Sequence, residues 1–355
     1  MRILIDIGHP AHVHLFKHFA LEMQKKGHQI FFTCREKEFE IYLLEKYGFE
    51  YKSFGKKYST KFGKIWGLIE FDIKEFLASL KFKPDIFLSH GSIYAAHAAF
   101  MLRKPHISME DTGNSEQVNF YLPFTECVLT SDFFEKDYIN KQIRYSGYHE
   151  LTYLHPNYFK PDNNFLSSLQ LDGYEKYVLL RFVSWKATHD QGQSGISVDT
   201  QKKIVKILSQ KYKVFVSSEK SLSSEFEPYR VSFTPEKIHD ALYYSDLFIG
   251  EGTTMAMESG ILGTPSLYVN SLQYDNINDL SKYGLVTSYN NDEKLIDTVE
   301  KILKRDSSKN DWRARRNKML ADKIDVTAFL VWFVENYPKS FKIMKQNPEY
   351  QYNFK

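Results

Sequence analysis

The stretch Asp246-Leu-Phe-Ile-Gly-Glu-Gly-Thr-Thr-Met-Ala-Met-Glu258 sets two glycines, two threonines and a carboxylate behind a short apolar run. That order suits an anion site with an acceptor for a sugar diol beside it. Leu247, Phe248 and Ile249 read as a strand covered on both faces, and Gly250 and Gly252 let the backbone turn closely. A helix over 253–262 then starts at Thr253 or Thr254. Its unpaired first-turn N–H groups and the positive end of its dipole point out of the sheet edge, where a phosphate can sit. Glu258, about one and a half turns further on, is placed to accept hydrogen bonds from two vicinal ribose hydroxyls. Read alone, the segment equally allows a plain strand-turn-helix with Glu258 in solvent.

Other chemistry-bearing residues cluster after other strands. Arg181, Ser184, Trp185 and Lys186 follow strand 177–183, at the edge where open α/β sheets bind ligands, so Arg181 or Lys186 could pair a phosphate. The alternative is surface charge around a packed Trp185. Gly192-Gln-Ser-Gly195 is a candidate closing loop or simply a loop. His9, His12, His14 and His18 are dense enough to raise a metal, but they lack the intervening glutamate of a thermolysin-type zinc helix. No metal is expected. His9 at a sheet edge can act as general base, because imidazole titrates near neutrality; alternatively His9 and His12 cap the loop and helix. Glu110 and Asp111 end another strand on the same edge and are the reserve base. Lys56 to Leu68 interleaves lysines and aromatics ahead of a long helix, which fits either an anionic membrane or lipid-linked acceptor, or a helix covering the sheet with its lysines in solvent.

The elements that must position these residues alternate strand and helix. Strand 2–7, helix from His14, strand 29–34, helix 36–47, strand 49–54, helix near 60–80, strand 85–89, helix 93–103 and strands 106–109 and 127–130 describe a doubly wound parallel sheet. Two prolines and three asparagines in 155–165 mark a linker. A second series follows: strand 177–183, helix 198–209, strand 213–217, helix 235–244, strand 246–250, helix 253–262, strand 266–269, helix 274–283 and helices beyond 293. The expected domains are 1–155 and 166–322, with the almost wholly apolar helix 325–337 crossing back to the first. A chain of 355 residues accommodates two cores. A net charge of +3 is too mild to argue for nucleic acid. Cys34 and Cys127 have no CxxC spacing and read as packing thiols. Met1 leads directly into a strand with no signal pattern, and no apolar run approaches bilayer length, so a cytoplasmic protein is expected.

Two doubly wound halves, the loop Asp6-Ile-Gly-His-Pro-Ala-His-Val-His14 and the segment Glu251 to Pro265 together resemble the GT-B superfamily, and more narrowly the domain of unknown function 354 family. The resemblance implies an α/β GT-B fold, two Rossmann-like domains facing across a cleft. It is similar to nucleotide-sugar glycosyltransferases, where the matching glutamate, here Glu258, holds the ribose. The non-hydrolysing UDP-N-acetylglucosamine 2-epimerases use the equivalent turn for the diphosphate, which places Gly252, Thr253 and Thr254 around the phosphates. Phe233-Thr-Pro-Glu-Lys-Ile238 resembles the base-reading stretch, with Ile238 the matching position. The epimerase acid motif falls on His90-Gly-Ser-Ile93, so Ser92 stands where the aspartate belongs; Glu110 keeps one carboxylate, and Glu116-Gln-Val-Asn119 puts Gln117 at another.

The resulting expectation is a glycosyltransferase that takes a nucleotide sugar, UDP-linked, in its second domain, needs no further cofactor, uses His9 as base, and serves surface polysaccharide or glycoconjugate assembly. An unknown acceptor, a lipid-linked one included, and peripheral contact with the inner face of the membrane go with it. The alternatives are a UDP-N-acetylhexosamine 2-epimerase or hydrolase, and a noncatalytic nucleotide-sugar-binding protein.

Overall fold

The computed structural model describes the chain except residues 57, 59, 114, 170, 172–174, 183–194, 219–221, 232, 273 and 305–308, and except the side chains at 61, 62, 64, 115 and 116. Two compact units result, Met1–Tyr158 with Lys323–Lys355, and Phe159–Asp322.

In the first unit the order is β1 (Arg2–Ile7), α1 (Pro10–Lys25), β2 (Gln29–Glu36), α2 (Glu40–Lys46), β3 (Tyr51–Lys56), α3 (Lys61–Phe82), β4 (Ile86–His90), α4 (Ile93–Met101), β5 (His106–Met109), α5 (Ser115–Tyr121), β6 (Cys127–Ser131), β7 (Gln142–Tyr145) and α6 (Leu151–Leu154). The second unit holds β8 (Tyr177–Phe182), α7 (Val198–Leu208), β9 (Lys213–Ser218), α8 (Ile238–Tyr244), β10 (Phe248–Gly250), α9 (Thr253–Leu262), β11 (Ser266–Val269), α10 (Asp275–Lys282), β12 (Val286–Tyr289), α11 (Leu295–Lys304) and α12 (Lys309–Asp322). The chain then re-enters the first unit as α13 (Val326–Glu335) and α14 (Lys339–Gln346), with α13 packed on α1 and α6.

The first sheet runs β3-β2-β1-β4-β5-β6-β7 and the second β12-β11-β10-β8-β9. All pairings among the described strands are parallel. Ile3, Leu4, Ile5 and Ile7 of β1 are wholly buried, so β1 needs apolar residues on both faces. The second core joins Val178, Leu180 and Ile249 to Ile204, Leu208, Leu295 and Val299. In each sheet the chain reverses its direction of winding at one place, between β1 and β4, and between β8 and β10. Ligands of open α/β sheets bind outside the carboxyl ends of such strands.

Some boundaries differ from the sequence reading. The helix expected from 36 starts at Glu40, because β2 extends to Glu36 and the Glu40 carboxylate accepts from the N–H groups of Lys37 and Glu38 at 2.9 and 2.7 Å. The helix expected from 235 opens as a 3-10 turn over Pro235–Lys237. Cys34 and Cys127 are buried free thiols, and burial pushes Cys34 up to about 12.

Beneath the first switch point lies a charged network. Arg35 on β2 donates from both terminal nitrogens to the two oxygens of Asp6 on β1, at 2.7 Å each. Thr33 and Ser92 add hydroxyl donors to Asp6, and Tyr94 covers the guanidinium face at 4.5 Å. The Thr33 hydroxyl oxygen also lies 3.1 Å from Oε1 of Glu75 on α3, whose burial, with Asp6 nearby, raises its pKa well above the usual range. Glu75 is thereby held protonated, which leaves one positive and one negative charge in the network.

Candidate functional site

The loop after β1 is shaped by its histidines. His9 is the N-cap of α1, with Nδ1 accepting from the Ala11 amide at 3.2 Å, and His12 Nδ1 accepts from Gly8 at 3.3 Å. A ring nitrogen that accepts an amide N–H is unprotonated, so neutral His9 carries its proton on Nε2. The lone pair of a base is thus engaged in capping. His9 Nε2 lies 3.9 Å from Glu38.

Across the switch point, the ring of His12 rests on His90 at the end of β4, centroids 4.5 Å apart. His90 Nε2 meets Asp111 Oδ1 at 2.9 Å, and His149 Nδ1 lies 3.3 Å from Asp111 Oδ2. Each oxygen of one carboxylate therefore faces one imidazole. Burial would lower the His90 pKa, but the Asp111 charge and hydrogen bond outweigh it and raise it to about 9. Burial would likewise raise Asp111, yet His149 and His90 hold it well below the usual carboxylate range. At neutral pH the pair is an imidazolium beside a carboxylate, with the His90 Nε2 proton given to Asp111. Ligand atoms of His90, Asp111 and His149 lie within 4.8 Å of one another, a spacing that a divalent cation accepts only once His90 has given up its proton.

Glu110 has a different task. Its Oε1 accepts from the Thr112 amide, the Thr112 hydroxyl and the Gly113 amide, each at 2.9 Å, and its Oε2 accepts from Tyr121 at 2.6 Å. Four donors hold it as the tie of the turn that aims Asp111. Ser92 caps α4 through the Ala95 amide and donates to Asp6, while Gln117 donates to the Gly91 carbonyl. The two positions where an epimerase acid is replaced are thus joined to the scaffold. Behind them, burial lowers His106 to about 3, so it is a neutral link between Ser89 and Thr125.

In the second unit, Arg181 of β8 and Gly250 of β10 are register partners at the other switch point. A Cβ on Gly250 would meet the Phe248 ring at 2.6 Å and Arg181 Cβ at 3.1 Å, so only glycine allows this approach. Arg181 donates to Ser217 at 3.0 Å. The Glu251 carboxylate accepts from the Ile196 amide at 2.7 Å and the Glu251 carbonyl from Asn270 at 3.0 Å, which pins the turn. Gly252 then starts α9 with no side-chain cap, Thr253 pairs with the Tyr268 hydroxyl at 3.1 Å, and Thr254 is exposed. Glu258 is 4% exposed, and its Oε1 lies 3.1 Å from His239 Nε2 on α8, one residue after Ile238. Burial overturns the solvated alternative for Glu258. Ser184, Trp185, Lys186 and the loop 192–194 lie outside the described residues.

Sequence reasoning passed over His90, His149 and His239. His90 stood in the quoted His-Gly-Ser motif and His239 beside Ile238, so position was the available signal for both; His149 had none.

A family model described as a protein of unknown function, DUF354, matches residues 1–333. The chain belongs to this family. The uncharacterised protein MJ0665 of Methanocaldococcus jannaschii is 26% identical over 281 residues, covering 75% of this chain and 80% of that protein. Among solved structures, the S. aureus MnaA–UDP co-structure aligns with a TM-score of 0.68 at 10% identity, covering 96% of this DUF354 chain and 97% of that chain. UDP-GlcNAc 2-epimerase from Neisseria meningitidis bound to UDP-GlcNAc gives 0.57 at 14%, covering 91% and 99%. The Streptomyces sp. SF2575 glycosyltransferase SsfS6 gives 0.58 at 13%, covering 95% and 100%. These likenesses establish the fold: two parallel-sheet units of the GT-B class. Among the described residues no helix is long and apolar enough to cross a membrane.

Proposed function

We propose that this protein is a nucleotide-sugar-dependent glycosyltransferase, UDP-linked in its donor, acting on a sugar or lipid-linked acceptor in surface-polysaccharide or glycoconjugate assembly. The observation that carries this reading is Glu258, a buried carboxylate held by His239 one helix face behind the uncapped first turn of α9. Amides of Thr253 and Thr254 would take the diphosphate, Arg181 would add charge, and Glu258 would take the ribose. The first unit supplies proton transfer through His90 and Asp111. Engagement of Ser92 and Gln117 in the scaffold favours transfer over epimerisation, which needs acid and base groups on both faces of the sugar.

UDP is expected to raise the melting temperature more than GDP, ADP or CMP. In Glu258→Ala the loss of even one charge-assisted hydrogen bond, worth about 1.5–3 kcal/mol, should weaken UDP at least about 10- to 100-fold and nearly remove the shift. No shift with any nucleotide in the native protein would sink the donor assignment. Because amides and Arg181 meet the diphosphate charge here, the donor needs no metal, and the UDP shift should be the same with excess chelator. Release of UDP from UDP-N-acetylglucosamine only when an acceptor extract is present separates transfer from hydrolysis and epimerisation.

A further inference from the structure

Helix α3 has one buried face and one exposed apolar face. Phe71, Glu75 and Ser79 are buried against the rest of the unit. On the outer side, Ile65, Ile69, Ile73 and Leu77 recur every fourth residue at 65, 52, 53 and 57% exposure, with Trp66 at 61% beside them. At this period they form one continuous stripe where a water-facing helix carries polar residues. Phe100 and Met101 at the end of α4, 59 and 51% exposed, extend it across a hollow of about 420 Å³ that Ile69, Ile73 and Leu77 also line. A patch of this size on a soluble unit marks an interaction surface.

Charge decides what covers it. Residues 56–83 contain Lys56, Lys57, Lys61, Lys64, Lys74, Lys81 and Lys83 against Glu70, Asp72 and Glu75, a net +4 that exceeds the +3 of the whole chain. The acids do not face outward as free charges: Glu70 pairs with Lys74, Asp72 with His97, and Glu75 is buried. Lys81 and Lys83 are exposed at one end of the helix, and Arg103 is exposed beyond α4. A second copy of this chain would set the same lysine excess, with Lys56, Lys81 and Lys83 exposed, against the first. An anionic lipid surface neutralises it while accepting the isoleucines and Trp66 at the headgroup boundary, the pattern of a helix that lies in the interface plane.

We propose that the outer face of α3, with the end of α4, seats this protein on an anionic lipid surface. This is independent of the donor-site reading. The protein is expected to co-sediment with phosphatidylcholine vesicles containing phosphatidylglycerol at least about 10-fold better than with phosphatidylcholine alone, since each lysine near such a surface contributes about 1 kcal/mol, and raised salt should release it. The double variant Ile69→Glu/Leu77→Glu changes only exposed side chains; it should stay in the supernatant with an unchanged melting temperature and an unchanged UDP shift. Lys81→Glu/Lys83→Glu should weaken binding to the anionic vesicles and leave the fold intact. Equal binding to both vesicle types, or none to either, overturns the proposal. So does a native dimer that Ile69→Glu/Leu77→Glu splits into monomers, since the occupant is then a second copy.

Discussion

Asp6→Ala should lower the stability of the first unit by about 3–5 kcal/mol, the usual cost of stranding one member of a buried ion pair. Arg35 is 3% exposed and both its terminal nitrogens end on Asp6, so removing the carboxylate leaves a guanidinium with no water to replace it. The Thr33 and Ser92 hydroxyls lose an acceptor at the same time. For a unit of this size the loss corresponds to a fall in melting temperature of about 6–20 °C. Glu75 limits the damage. Held protonated in the native protein, it can release its proton once Asp6 is gone and become the counter-charge for Arg35. The double variant Asp6→Ala/Glu75→Gln is therefore expected to be markedly less stable than Asp6→Ala, while Glu75→Gln alone is mild. Urea melts of the three proteins check this; equal stability of the single and double variants would show that Glu75 does not take over.

The pattern of strands and helices was legible because strands such as β1 and β10 are apolar on both faces and stop at glycine, which leaves few alternatives. β7 and β12 escaped notice for a related reason. Both are edge strands, and Gln142-Ile-Arg-Tyr145 and Val286-Thr-Ser-Tyr289 carry too few apolar residues to stand out from loop. For the sites, residue type was readable and partnership was not. Glu258 could be named from its place on α9, but its burial and its contact with His239 exist only because α8 packs beside α9. His90 and His149 end up on one carboxylate because β4 and the segment after β7 both finish at the same sheet edge. No spacing in the sequence encodes that. Helix α3 shows the same limit from the other side: Phe71 and the stripe Ile65, Ile69, Ile73 and Leu77 are all apolar, and hydropathy alone does not say which faces in.

Asp111→Asn is expected to cut turnover by about 10²–10⁴-fold, the usual worth of a positioned acid or base, with the change visible in the pH profile. The raised His90 pKa, about 9 against the ordinary 6.5 of imidazole, depends on the Asp111 charge; burial alone pulls the other way. Without that charge His90 should be neutral at pH 7. The alkaline limb of kcat/KM, expected near pH 9 in the native protein, should then move to below neutrality. Stability follows the same sign. A pKa raised on folding stabilises fully below the unfolded value near 6.5 and is lost as pH climbs through about 9, by at most roughly 3 kcal/mol. The depressed Asp111 pKa works in the opposite range, stabilising above its ordinary value of 3.8 and failing as acid protonates it in the folded state. The native protein should therefore lose stability progressively as pH rises from about 6.5 to about 9, and Asp111→Asn should lack that decline. The UDP shift, which belongs to the second unit, should survive the substitution and so separate a lost proton donor from a lost donor site. An Asp111→Asn enzyme that keeps the native pH profile would remove His90 from the chemistry.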